Sequence, residues 1–185
     1  LKEDELIYAT SKPFKLCTFS RVMKEKGIEE LFYAVRRLKE ENEDFVLDLA
    51  GFFEDIYKKQ VEELEQLGIA HFYGFQSDPR PFYTEADCVV LPSYHEGMSN
   101  VLLEAAATGR PVITSNIPGC RESVENGKSG LLVEVKNKEM LYQAMKKMLH
   151  CSREEREKMG KAGREKMKRE FRKEAVVERT VRSLE

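Results

Sequence analysis

Between Ser93 and Ser115 the chain reads Ser-Tyr-His-Glu-Gly-Met-Ser-Asn-Val-Leu-Leu-Glu-Ala-Ala-Ala-Thr-Gly-Arg-Pro-Val-Ile-Thr-Ser, which sets two carboxylates, Glu96 and Glu104, around a predicted helix start. Carboxylates grip hydroxyls, and the backbone amides of Gly97-Met98-Ser99, at the mouth of that helix, favour phosphate through orphan donors and the helix dipole. Together these residues suit a sugar carried on phosphate. Ser99 is the expected N-cap. Val101, Leu102, Leu103, Ala105, Ala106 and Ala107 make the helix apolar on nearly every side, interrupted only by Glu104. An ionised acid in such surroundings costs several kcal/mol unless it is satisfied. Either a local backbone or basic partner fills that need, or a pair of vicinal hydroxyls such as a ribose diol; the amide-rich loop favours the diol. If the whole segment were helical, Glu96 and Glu104 would stand roughly 12 Å apart, about the reach of a nucleoside diphosphate.

The elements around this segment read as an α/β, Rossmann-like three-layer domain with a six-stranded parallel sheet and C-terminal helices. Strand-like runs at 15–19, 45–50, 69–73, 88–91, 111–114 and 131–133 alternate with helical patterns. The stripes Ile28, Leu31, Phe32, Val35, Leu38 and Tyr57, Val61, Leu64, Leu67 are expected core. So is the stripe Met140, Leu141, Ala144, Met145, Met148, Leu149 that follows a candidate cap at Asn137. From Ser152 the alternating charge predicts a helical tail over 152–185, read as a solvated surface, with Val177, Val181 and Leu184 as an apolar stripe at its end.

The 185 residues suffice for one domain spanning 1–185. Hydrophobic content of 41% and charged content of 35% fit a soluble globular chain. With 31 basic and 33 acidic residues, a nucleic-acid surface is not expected. Cys17, Cys88, Cys120 and Cys151 lack metal or redox spacing and read as free thiols of a reducing compartment. The scattered His71, His95 and His150 give no metal set, so no metal and no cofactor are expected. No run approaches the roughly 18 apolar residues of a membrane helix, which points to a cytoplasmic protein. The start at Leu1 and the polar lead Lys2-Glu-Asp-Glu read as a piece of a longer chain.

Glu96-x7-Glu104 followed by Ala-Ala-Ala-Thr-Gly-Arg-Pro-Val-Ile resembles the donor-binding, C-terminal half of family 4 retaining glycosyltransferases of the GT-B fold. Phe19-Ser-Arg-Val-Met-Lys-Glu-Lys-Gly-Ile-Glu-Glu-Leu31 is similar to the family's G-R-x-x-x-x-K-G segment, with Ser20 in place of Gly. Ile117-Pro-Gly-Cys-Arg-Glu-Ser-Val124 and Asn126-Gly-Lys-Ser-Gly-Leu-Leu-Val133 resemble its later segments. The Pro-Gly-Cys-Arg-Glu form resembles bacterial members that extend lipid-linked or capsular oligosaccharides. The resemblance implies that Arg21 and Lys26, expected just after the first strand, hold a diphosphate and stabilise charge on it as the glycosidic bond breaks. It implies that Glu96 orients the transferred sugar and that Phe75, after Tyr73-Gly74, presents backbone groups to the base. Cys120 replaces the second glycine of its segment.

The implied activity is retaining transfer of a hexosyl or N-acetylhexosaminyl group from a nucleotide sugar, UDP favoured, to a saccharide or lipid-linked acceptor. Bacterial surface polysaccharide synthesis is the implied setting. The acceptor-binding N-terminal domain would be absent here, leaving the isolated domain inactive. The full enzyme would work in the cytoplasm, with association at the inner face of the cytoplasmic membrane allowed. Two other readings stand beside this one: a non-catalytic nucleotide-binding or assembly module, and a sugar-nucleotide epimerase.

Overall fold

In the computed structural model, which describes residues 12–171, the apolar runs become six strands: β1 (Phe14–Phe19), β2 (Phe45–Ala50), β3 (Ala70–Phe72), β4 (Cys88–Leu91), β5 (Val112–Ser115) and β6 (Gly130–Val133). They form one sheet in the order β3-β2-β1-β4-β5-β6, and every pairing is parallel. All residues of β2, β4 and β5 are buried. Strands covered on both faces need apolar residues at successive positions rather than alternation, which explains runs such as Cys88-Val-Val-Leu.

Helices α1 (Ile28–Glu40), α2 (Lys58–Gln66) and α5 (Lys138–His150) pack on one face of the sheet; α3 (Arg80–Glu85) and α4 (Asn100–Ala107) pack on the other. All five members of the α1 stripe are buried, and burying a side chain such as Phe32 or Leu38 contributes about 1.5–3 kcal/mol. The α2 stripe holds at Tyr57, Val61 and Leu64, but Leu67 lies past the helix end and is exposed. In the α5 stripe Met140 is the exposed exception. The Asn137 side chain accepts from the Met140 amide at 2.9 Å, as a cap should.

The charge-rich run after Ser152 is α6 (Arg153–Glu170), opened by a capping box between Ser152 and Glu155. It is not wholly solvated, as its composition suggests. Gly160, Gly163, Lys166 and Met167 are buried, and α6 lies along α4. A Cβ at Gly163 would meet the Cβ atoms of Ala106 and Ser129 at 3.6 Å, an ordinary van der Waals distance, so the backbone of α6 passes close to α4 here. Residues 172–185, with Val177, Val181 and Leu184, lie outside the described residues, as does the lead at 2–5.

The crossover after β1 goes to one face and that after β4 to the other, while β1 and β4 are neighbours in the sheet. Their following loops must therefore diverge, opening a crevice outside the carboxyl ends of the strands. Ligands of open parallel sheets bind at such a switch point.

Candidate functional site

Three loops meet at this crevice, and backbone contacts fix them. After β1, the Ser20 amide donates to Ala50 O at 3.0 Å and Val22 N to Phe52 O at 2.7 Å. After β4, Tyr94 N donates to Glu25 O at 2.8 Å, and a Cβ at Gly27 would fall 2.1 Å from Pro92 O. After β5, Gly119 lies at φ +85° with its carbonyl accepting from Ser99 N at 3.0 Å; a Cβ there would fall 1.6 Å from Gly97 O. Glycine at 27 and 119 is thus a condition for the β4 loop to lie against both neighbours.

The predicted Lys26 and Glu96, seventy positions apart in sequence, touch: Lys26 Nζ lies 2.6 Å from Glu96 Oε1. The pair is largely buried, with side-chain exposures of 19% and 14%, so its charges are only weakly screened. Ser93 Oγ donates to the same oxygen at 2.8 Å. Arg21 precedes Lys26 on the same β1 loop, is exposed, and has no ion pair among the described residues. The β1 loop thus brings two cations to the switch point, where Lys26 engages the β4 loop.

Of the amides expected to be free at the helix mouth, that of Ser99 is bonded to Gly119 O; Gly97 and Met98 are exposed. Ser99 occupies the N-cap position, but its side chain makes no capping bond. The helix begins only at Asn100, so Glu96 lies outside it and the all-helical spacing does not apply.

Glu104 corrects the sequence reading more strongly. It is exposed, because Leu102, Ala105 and Ala106 form the buried side of α4 and Glu104 points away from them. The desolvation argument for a ligand therefore fails. Its carboxylate accepts from the Tyr83 hydroxyl at 3.3 Å and borders a groove of about 470 Å³ shared with Ser77, Pro79 and Arg80. Burial pushes the Tyr83 phenol well above its usual range, with the nearby Glu104 charge adding to the effect, so the hydroxyl stays a donor.

Phe75 is exposed and stacks on Phe52, ring centroids 4.7 Å apart with an 11° interplanar angle. The two rings are brought together where Gly51 N donates to Gly74 O at 2.8 Å, joining the β2 and β3 loops. Phe52 carries no motif, and only the strand register would have paired it with Phe75. Cys120 is fully buried and its thiol is pushed up to about 11, chiefly by burial, which keeps it protonated and unreactive. Cys17 and Cys88 are buried free thiols as well. His95 is exposed at the rim. Among the described residues, no group of three or more His, Cys, Asp and Glu side chains is arranged to hold a metal, and no helix is long and apolar enough to cross a membrane.

The chain is similar to the capsular polysaccharide biosynthesis glycosyltransferase CapM of Staphylococcus aureus, 28% identical over 163 residues that make up 85% of this chain and 42% of CapM. Among solved structures it resembles the sucrose-phosphate synthase of Thermosynechococcus elongatus (26% identity, TM-score 0.77, 92% of this chain and 45% of that one). It also shares its fold with Anabaena HepE, solved in complex with UDP-glucose (22% identity, TM-score 0.78, 92% of this chain and 48% of that one). The chain thus spans about half the length of the relatives it matches. Residues 4–166 match the family described as glycosyl transferases group 1, and with its six parallel strands and switch-point crevice the chain belongs to that family.

Proposed function

We propose that this chain is the donor-binding half of a retaining glycosyltransferase that takes a nucleotide-diphosphate sugar, UDP-linked by preference, in bacterial surface polysaccharide synthesis. The observation that carries the reading is the meeting of Lys26 and Glu96 at the switch point, beside Arg21 and the exposed amides of Gly97 and Met98. A diphosphate placed there would meet two cations and a helix mouth. The transferred sugar would meet Glu96. Glu104, exposed and hydrogen-bonded by Tyr83, would then meet the ribose, and the groove it shares with Ser77, just past Phe75 in the chain, would take the base.

The chemistry follows from charge. As the bond to the anomeric carbon breaks, negative charge grows on the leaving diphosphate, and preorganised cations in a partly dry crevice stabilise it more than water would. Arg21 supplies a planar fork and Lys26 a point charge. No metal is needed in this scheme. The protonated Cys120 is not a nucleophile, and Glu96, held by Lys26 and Ser93, orients the sugar without acting as a base. The leaving phosphate itself would assist loss of the acceptor's proton.

An acceptor-binding N-terminal domain would complete the enzyme, which would act on a saccharide or lipid-linked acceptor in the cytoplasm. Without it the domain should bind donor weakly and transfer little, because proximity and closure are missing. The hexosyl or N-acetylhexosaminyl nature of the sugar belongs to the same proposal. Calorimetric titration with UDP, GDP and ADP, on the unmodified chain and Glu104→Ala, tests it. Loss of charge-assisted bonds to the ribose should cost about 1.5–3 kcal/mol of binding. Equal affinity in both proteins would remove Glu104 from the site.

A further inference from the structure

Two donors, Lys26 Nζ at 2.6 Å and Ser93 Oγ at 2.8 Å, converge on the same oxygen of Glu96, Oε1. Oε2 has no hydrogen-bond partner among the described residues. A carboxylate held in this way keeps its second oxygen for an incoming hydroxyl. The two holders differ in what they do when ligand arrives. Lys26 is a flexible cation, and an anion in the crevice would compete with Glu96 for it. Ser93 is neutral, fully buried, and fixed in the backbone just after β4, between Pro92, against which Gly27 packs, and Tyr94, whose amide is bonded to Glu25 O. A phosphate has no means to draw it away.

We infer that Ser93 is a positioning residue for the donor sugar: it holds Glu96 Oε1 while Lys26 is shared with the diphosphate, so that Oε2 meets one sugar hydroxyl. The inference rests on the proposed role of Glu96 and deepens it. It assigns a part to a residue that would otherwise count as a buried hydroxyl satisfied within its own loop. That plain alternative makes a different prediction. A merely structural hydroxyl would affect UDP and UDP-glucose alike, whereas a holder of Glu96 affects only the ligand that carries the sugar.

The experiment compares Kd for UDP-glucose with Kd for UDP, by calorimetry, in the unmodified chain, Ser93→Ala, Ser93→Thr and Glu96→Ala. A hydrogen bond to a charged group is worth about a tenfold change or more in affinity when it is lost. Ser93→Ala should therefore weaken UDP-glucose about tenfold relative to UDP, leave UDP within about twofold, and be rescued by Ser93→Thr, which restores the hydroxyl. If the ratio of the two constants is the same in Ser93→Ala as in the unmodified chain, or both ligands weaken together, the inference fails. If Glu96→Ala also leaves the ratio unchanged, the sugar-binding role of Glu96 fails with it; if Glu96→Ala moves the ratio and Ser93→Ala does not, only the inference falls. Should Ser93→Ala prove unfolded by circular dichroism, Ser93→Cys, of nearly the same shape with a weaker donor, repeats the comparison and should fall between serine and the loss seen for Glu96→Ala.

Discussion

Replacing Gly119 by alanine should separate the loops that build the crevice. The new Cβ would fall 1.6 Å from Gly97 O, where contacts under 3.0 Å are not tolerated, so the carbonyl must retreat by about 1.4 Å. Glu96 O, at 2.6 Å from the same point, must move too. The left-handed φ of +85° adds strain of about 1–2 kcal/mol, and overpacking adds about 1–3 kcal/mol. A total near 3 kcal/mol would lower Tm by about 6–12 °C in a chain of this size. Donor binding should fall at least about tenfold, since displacement on the order of 1 Å is enough to disrupt a positioned site. Gly68→Ala is the control: its φ is +68° but nothing lies within 4 Å of the added Cβ, so it carries the strain alone and should lower Tm by only about 3–6 °C. Differential scanning calorimetry and titration with UDP-glucose read both effects. If Gly119→Ala melts no lower than Gly68→Ala and binds within about twofold of the unmodified chain, close approach at Gly119 is not what holds the loops.

Two further outcomes follow from single side chains. Arg21→Ala should weaken UDP about tenfold and leave uridine unchanged, as loss of a charge-assisted phosphate contact requires; equal loss on both ligands, measured by titration, would contradict a phosphate role. Asp48, on the buried strand β2, has no hydrogen bond to Oδ1, which His71 Nδ1 approaches at 3.5 Å, and burial pushes its carboxyl above the ordinary Asp range against the pull of Lys15, Tyr73 and His71. The folded state then holds that proton more tightly than the unfolded chain, so stability falls as pH rises from the ordinary Asp range through the raised value. Asp48→Val should flatten that slope and gain about 1–2 kcal/mol at pH 7 in urea unfolding; a loss of stability there would show that the carboxylate is better satisfied than its geometry indicates.

The sheet was legible because a strand buried on both faces writes a continuous apolar run: β2 and β4 begin and end where Phe45–Ala50 and Cys88–Leu91 say they should. β3, at the sheet edge, shrank to Ala70–Phe72, since only one neighbour supports it. The buried side of α6 was hidden because Gly160 and Gly163 have no side chain to register as apolar. The exposure of Glu104 is hidden for the opposite reason: α4 is so rich in leucine and alanine that composition does not tell its covered side from its open one. The Lys26–Glu96 contact and the stacking of Phe52 on Phe75 depend on which strands are neighbours, and local patterns do not carry strand order. Motif resemblance supplied Lys26 and Glu96 as candidates but could not show that Lys26 and Ser93 donate to one oxygen of Glu96.

The loops of the crevice are tied to one another by main-chain amides and carbonyls, at Ser20, Val22, Tyr94 and Ser99. Exposed side chains on those loops, such as His95 and Met98, can therefore be exchanged without redrawing the path of the chain. A scaffold of this kind can vary its exposed loop side chains one at a time, while Gly27 and Gly119, where the chains press closest, leave no room for a side chain at all.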